Sequence, residues 1–367
     1  LTNACEKEEF QRQVLRNPRF LYASLAVLDN FGMMDLMENL GVPLKVERGQ
    51  RVFPVSDHAS DVGRALEKAL RTAGVDIRLN TRAASLLEKD GRCRGVRLFN
   101  GAELPADGVI VCTGGVSYPA TGSTGDGHRM ARDAGLAVTP LLPGLTSLHT
   151  GEAWPGELAG LSLKNVTLTV KNQKKKVVFQ ELGEMLFTHF GLSGPLVLSA
   201  SADCKWEKDQ YTALIDLKPA LDEAKLEARI LRDIAQAPNK AFHNMLEGLL
   251  PRLMVPVACQ RADIPPDLPV NTLTKGQRRR LVETMKAFSI PLAGPRPVKE
   301  AIITAGGVKT GEVDPGTMQS KKAPGLFLAG EVLDVDAYTG GFNLQIAWCT
   351  GRAAGEGAAQ YCKEETH

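Results

Sequence analysis

Residues 324–351 read Pro-Gly-Leu-Phe-Leu-Ala-Gly-Glu-Val-Leu-Asp-Val-Asp-Ala-Tyr-Thr-Gly-Gly-Phe-Asn-Leu-Gln-Ile-Ala-Trp-Cys-Thr-Gly. A short apolar strand, Leu326 to Ala329, ends on Gly330-Glu331. A turn-rich acidic stretch then reaches Gly340-Gly341, where a helical pattern starts near Phe342. Glycines let a backbone approach a ligand closely, and the free N–H groups of a helix's first turn are donors aimed at it. A carboxylate at the strand end accepts from a sugar-like hydroxyl and repels a phosphate. The stretch therefore predicts a ligand with hydroxyls and an electron-rich, hydrogen-bond-accepting end. The bland alternative is a glycine-rich packing loop before a terminal helix. Two further strand-to-glycine junctions, Thr113-Gly114-Gly115 and Gly122 to Gly127 with Asp126 inside it, favour the ligand. In open α/β sheets, ligands collect where strand ends meet helix starts.

Phe187-Thr-His-Phe-Gly-Leu-Ser-Gly-Pro195 combines an imidazole, two hydroxyls and special glycines. His189 there reads as an acid or base near neutral pH, or equally as a turn histidine bonded for structure. Arg51, in Arg51-Val-Phe-Pro54 and followed by His58, reads as the holder of a carboxylate or anionic cofactor, or as a surface arginine. Lys174-Lys-Lys176 reads as a solvated hairpin tip and Arg278-Arg-Arg280 as a solvated helix face. Cys349, two turns into the terminal helix, reads as packing.

The elements that must position these residues are α/β in texture over the first hundred positions. Apolar spacing over residues 10–40 predicts helix. Ser56 is the expected N-cap of a helix over about 57–73, with stripe Val62, Leu66, Ala69, Leu70 and Ala73 and with Gly74 at its end. Strands are expected at Val75 to Leu79, Ser85 to Leu87 and Gly95 to Phe99, with turns at Asp90-Gly91 and Asn100-Gly101. Gly108 to Gly115 reads as a buried strand running into glycines. From about 139 the texture changes: residues 160–217 alternate in short runs, as in an antiparallel sheet or small barrel, and 220–290 turns helical. Thr274 to Gln277 has capping-box spacing before a helix through Phe288. The expected division is an α/β domain of 1–138 plus 301–367, an inserted β domain of 139–219 plus 290–300, and a helical insert of 220–289.

Composition bounds the rest. The 367 residues are 43% hydrophobic and 23% charged, long enough for two or three domains with real cores. A net charge of +2 argues against a dedicated nucleic-acid footprint. No apolar run has the length of a membrane span. Seven cysteines, none in Cys-x-x-Cys spacing, predict reduced thiols and a cytoplasmic setting, and six histidines without ligand spacing predict no metal. The chain starts Leu1-Thr2-Asn3 without an initiator methionine, which predicts processing or a fragment.

Gly330-Glu331-Val-Leu-Asp-Val-Asp336 with Thr339-Gly-Gly-Phe-Asn-Leu-Gln-Ile-Ala347 resembles the C-terminal flavin signature of the HI0933-like flavoproteins. Arg51 to Pro54, Thr113 to Pro119, Thr121 to Gly127, Leu186 to His189 with Gly191 to Pro195, and Thr304-Ala-Gly-Gly-Val308 fall in the same family's order, so the resemblance spans essentially the whole chain. It implies a Rossmann-like, two-dinucleotide-binding-domain flavoprotein fold with inserted β-barrel-like and helical domains, and FAD as cofactor. Gly330 and Glu331 would contact the ribityl or pyrophosphate portion, Thr113, Gly114 and Gly115 the ADP portion, with Asp126 close by. Gly340, Gly341, Asn343, Leu344, Gln345 and Ile346 would lie beside the isoalloxazine. The implied activity is an FAD-dependent oxidoreductase moving a hydride between a small organic substrate and flavin N5, with NAD(P)H or oxygen as second partner and His189 and Arg51 facing the substrate. A flavin-dependent RNA-modifying enzyme and an inactive flavin-binding scaffold are the alternatives. Family members open with a strand and a Gly-x-Gly-x-x-Gly turn that this sequence does not contain. The expectation is that the physical protein carries that unit or that this chain holds FAD poorly.

Overall fold

Two short parallel strands, Val109–Val111 and Leu326–Leu328, pair in register from Leu326↔Val109 to Leu328↔Val111. The second is buried at every position, as the apolar run of a covered parallel strand requires. The computed structural model describes residues 1–365 and divides into two units, Leu1–Gly144 with the chain from Pro297, and Leu145–Arg296. Both parallel strands belong to the first unit. Packed with them is the 24-residue helix Phe342–Glu365, whose Phe342, Ile346, Cys349, Ala353 and Ala354 recur at helical spacing and enter the same core. Thr2–Asn3 pairs with Arg51–Pro54, which pairs on its other side with Leu44–Glu47. Helices Lys7–Gln13, Tyr22–Val27 and Asn30–Asn39 fill the stretch expected to be helical.

Ala83–Lys89 and Arg92–Leu98 form a hairpin turning at Asp90-Gly91, both at positive φ (55° and 73°), the conformation that makes Asp-Gly a favoured hairpin turn. The helix expected over 57–73 is Ala59–Thr72, and His58, not Ser56, holds its N-cap position. Ser56 Oγ instead bonds the Asp61 carboxylate. None of that helix's residues is buried despite the apolar stripe. Val75 to Leu79 is not a strand, and Val75 and Leu79 are 48% and 77% exposed. Alternating residues make a strand only where a partner supplies the ladder, and no described segment pairs with this one.

The second unit holds a closed barrel of six antiparallel strands, in the order Ser162–Asn172, Val177–Thr188, Gly191–Ser193, Leu148–Thr150, Phe288–Pro295 and Tyr211–Asp216. Lys174 to Lys176 lie at the tip between its two longest strands. Helices between Glu223 and Lys286 share one core with the barrel: Ile230, Phe242, Met254, Leu281 and Met285 cluster with Val170, Phe187, Ile215 and Phe288. Residues 220–289 thus pack into the barrel unit's own core. The unit boundaries fall at 144 and 297 because Leu142–Gly144 pairs with Ile303–Ala305 inside the first unit. Thr274 forms both halves of the capping box with Gln277.

Candidate active site

The terminal helix starts against the first strand of the chain. Gly341 sits at φ 99°, and a Cβ there would lie 2.3 Å from the Thr2 carbonyl oxygen. Only glycine allows that approach. Asn3 Nδ2 pins the turn by donating to the carbonyls of Gly340 (3.0 Å) and Gly49 (2.9 Å). The Gln345 N–H bonds the Gly341 carbonyl at 3.1 Å. The N–H groups of Phe342, Asn343 and Leu344 precede that bond and have no acceptor in the helix ladder. They form a bare, partially positive helix end.

The side chains expected beside a bound ring are mostly turned inward. Asn343 clasps the preceding loop, accepting from Ala337 N (2.9 Å) and donating to Ala337 O (2.7 Å). Gln345 is fully buried, accepts from Thr2 Oγ1 (2.8 Å) and donates to the Leu28 carbonyl (3.0 Å). Ile346 lies in the core. Helical phase is the reason: the face that carries Phe342, Ile346 and Cys349 inward carries Gln345 with it. Leu344, 50% exposed, is the one of the four that points outward. Asn343 can offer a ligand its backbone N–H, and Gln345 and Ile346 shape the helix end from behind.

The two strand-end junctions meet at a residue the sequence did not single out. Glu331 Oε1 accepts from the Thr304 N–H at 2.5 Å, while Thr304 Oγ1 accepts from the N–H groups of Val116 (2.7 Å) and Ser117 (3.2 Å). A Cβ on Gly115 would fall 2.1 Å from Thr304 Oγ1 and 2.8 Å from Glu331 Oε1. Thr304 therefore joins Thr113-Gly114-Gly115 to Gly330-Glu331. The motif Thr304 to Val308 was the available signal. Burial pushes the Glu331 carboxyl up, opposed by its bonds to Thr304. Gly330, at φ 74°, donates its N–H to Thr350 Oγ1 at 2.9 Å.

Asp126 is spent within the protein. Its carboxylate accepts from Arg82 (2.9 and 3.2 Å) and Thr124 (3.1 Å), and Arg82 above all holds it below the usual carboxylate range. Within the protein, Asp126 thus engages the Arg82 guanidinium, whose side chain is itself largely exposed. The neighbouring Gly127 is required because a Cβ would lie 2.1 Å from Thr113 Oγ1.

Between Gly330 and Gly340 the loop carries two more carboxylates. Arg16 Nε lies 3.3 Å from Asp336 Oδ2, and its Nη1 lies 3.7 Å from Asp334 Oδ1. Asp336 is only 3% exposed, and Oδ1 of each aspartate is buried without a hydrogen-bond partner. Burial raises the Asp336 carboxyl to about 6; Arg16 pulls it down, and Asp334 and Glu331 push it up. The segment bearing Arg16 is fastened to this loop through Leu15 N to Asp336 O (2.8 Å) and Tyr338 N to Gln13 O (3.0 Å). His128 is also fully buried, with the Val332 backbone beside its ring. Burial and then Arg132 depress it to about 4, opposed in part by the Val332 backbone.

Arg51 is half exposed in the first unit, donating to the Arg48 carbonyl (3.1 Å) with Phe53 beneath its guanidinium. His189 belongs to the second unit, exposed in the turn between Val177–Thr188 and Gly191–Ser193 and edge-on to Phe190 at 4.9 Å. Among the described residues, no three His, Cys, Asp or Glu side chains gather to hold a metal ion, and no helix is long and apolar enough to cross a membrane.

The free N–H donors at the start of the terminal helix fit a ligand with an electron-rich edge, as a flavin has. Comparison with known proteins agrees with that fit. The family description "HI0933-like protein Rossmann domain" matches residues 1–357. The 3-dehydro-bile acid delta(4,6)-reductase of Clostridium scindens is 31% identical, over 91% of this chain and 82% of that protein. The ribosomal RNA dihydrouridine synthase of Escherichia coli is 30% identical, over 93% of this chain and 82% of that protein. A solved quinol-fumarate reductase with menaquinol molecules is 18% identical with a TM-score of 0.46, covering 98% of this chain and 63% of that one. The chain thus spans under two thirds of that structure, a likeness too distant to bear on activity.

Proposed function

This chain belongs to the HI0933-like family, and we propose that it is a flavoprotein oxidoreductase that binds FAD and moves a hydride between a small organic substrate and the flavin, with NAD(P)H or oxygen as the second redox partner. The observation that carries the reading is the bare first turn at Gly341 to Leu344, on the same chain segment as Glu331. Its N–H groups would take the electron-rich edge of the ring, and the helix dipole favours the negative charge that reduction places there. Glu331 and Gly330 would meet the hydroxylated chain, and Thr113 to Gly115, fixed by Thr304, the adenosine end. Leu344 would shield the ring from water. Bound flavin supplies the two-electron chemistry, accepting or donating hydride at N5. Arg51 and His189 each remain proposed as a substrate-facing residue of its own unit.

Both relatives' names describe saturation of a carbon–carbon double bond, which supports a reduction of that kind. The Escherichia coli relative also favours a second reading, in which the double bond lies in RNA. The two readings separate by salt: binding through phosphates weakens steeply as salt rises, and a small-molecule substrate does not show that slope. The reading as a whole is tested by the absorbance spectrum of the purified chain before and after FAD is added. Bound-flavin bands are expected, and a protein that stays colourless after gel filtration refutes it.

A further inference from the structure

Strand Ile303–Ala305 has a partner strand on one edge only. Among the described residues it pairs with Leu142–Gly144 alone, and opposite Thr304 stands Pro143, which has no N–H to exchange. The Thr304 N–H turns to the other edge, where a buried backbone donor must find an acceptor. A side chain takes the place of a strand there. Glu331 Oε1 accepts the N–H at 2.5 Å.

The Thr304 hydroxyl completes the link. A hydroxyl has two acceptor positions and one proton. The N–H groups of Val116 and Ser117 approach its oxygen at 2.7 and 3.2 Å. Its proton goes to the Glu331 carboxylate, with Ser117 Oγ, at 3.2 Å, as the competing acceptor. One residue thus gives both of its donors to Glu331 and takes two backbone donors from the other junction. Gly115, with no Cβ, leaves room for both oxygens. Each Thr304 bond favours the ionised form of Glu331 against its burial. Asp336, on the same loop, feels the charge of Glu331.

We propose that Thr304 is a positioning residue that makes the two junctions one coupled site, so that a ligand group held at Glu331 orders the Gly114 to Ser117 backbone, and the reverse. The functional half of this rests on the flavoprotein reading, in which the two junctions meet the hydroxylated chain and the adenosine end of one cofactor. The coupling itself stands on the hydrogen bonds, and coupling between subsites is reciprocal.

The test is a pH titration of the full chain by NMR, with isotope-labelled glutamate side chains and backbone amides. In the wild type the Val116 and Ser117 amide signals should shift with the midpoint of the Glu331 carboxyl, whose signal is assigned by its loss in Glu331→Gln. Glu331→Gln should abolish that shift, which separates it from any caused by Asp336. Thr304→Val keeps the N–H and loses the hydroxyl, so it should raise the Glu331 midpoint and uncouple the amides. Thr304→Ser should restore both. In a second arm, ADP should tighten riboflavin binding about fivefold in the wild type and in Thr304→Ser, and not in Thr304→Val. Amides that ignore the Glu331 midpoint, a midpoint unmoved in Thr304→Val, a serine variant that behaves like valine, or ADP and riboflavin that bind independently in the wild type would each overturn the proposal. If Thr304→Val does not fold, the wild-type and Glu331→Gln titrations still decide. A chain that binds neither ADP nor riboflavin overturns the flavin reading and leaves the NMR titration, which needs no flavin, to decide Thr304.

Discussion

Asp336 and His128 are both buried in the first unit, and they should tilt its stability against pH in opposite directions. For Asp336 the native carboxyl is raised from 3.8 to about 6, so the native state keeps a proton that the unfolded chain releases. Its contribution is complete below pH 3.8 and is lost as pH rises through 6. At 1.36 kcal/mol per unit the loss is roughly 3 kcal/mol. For His128 the native imidazole is lowered from 6.5 to about 4, so the unfolded chain binds the proton first. Its contribution is complete above pH 6.5 and is lost as pH falls to 4, again by roughly 3 kcal/mol. The windows overlap, so the wild-type profile between them should be flatter than either variant's. Asp336→Asn should leave the His128 slope, with stability rising toward neutral pH. His128→Leu should leave the Asp336 slope, with stability falling. Urea midpoints at half-unit steps from pH 4 to 7 would report both, followed by Trp348, the one tryptophan of the first unit. Parallel profiles for the three proteins would refute the assignment of these slopes to Asp336 and His128.

Three further outcomes are expected. Gly341→Ala puts a Cβ against the Thr2 carbonyl at positive φ and should destabilise the first unit by about 2 kcal/mol or more, read as a lowered urea midpoint. Thr274→Ala removes the capping box and should cost the second unit about 1 kcal/mol, read from Trp154 and Trp206 fluorescence on unfolding. Cys204 and Cys349, raised by burial to about 12 and about 11, should resist iodoacetamide at pH 8 in the native protein and react once it is unfolded, as mass spectrometry of the labelled peptides would show.

Local pattern was enough for elements whose partners are close in sequence. Asp90-Gly91 made its hairpin, Thr274 its capping box, and the alternating runs after 160 closed into a barrel. Features set by distant partners were hidden. Asn343 and Gln345 read as ligand contacts from their place after paired glycines, yet the groups that engage Gln345 are Thr2 and Leu28, more than 300 residues away. Asp126 is claimed by Arg82, 44 residues off. Val75 to Leu79 has the alternation of a strand, but a ladder needs a second strand that no pattern within the segment can reveal. Thr304 has no periodicity to mark it and matters because two junctions converge on one hydroxyl and one N–H.

The knot of contacts at the start of the terminal helix also dictates when the first unit can form. Thr2 bonds Gln345, Leu1 bonds Trp348 and Asn3 bonds Gly340, each across well over 300 residues. A ribosome adding about 5–20 residues per second needs on the order of 20–70 s to carry the chain from Thr2 to Gln345. The barrel unit is one continuous stretch, Leu145–Arg296, and can complete its core during that time. Its folding then shortens the span the first unit must close, replacing a long flexible loop with a compact body. Until Phe342 onward emerges, Lys7–Gln13 and Tyr22–Val27 lack the apolar face they pack on, so the first unit depends on a segment made more than 300 residues later.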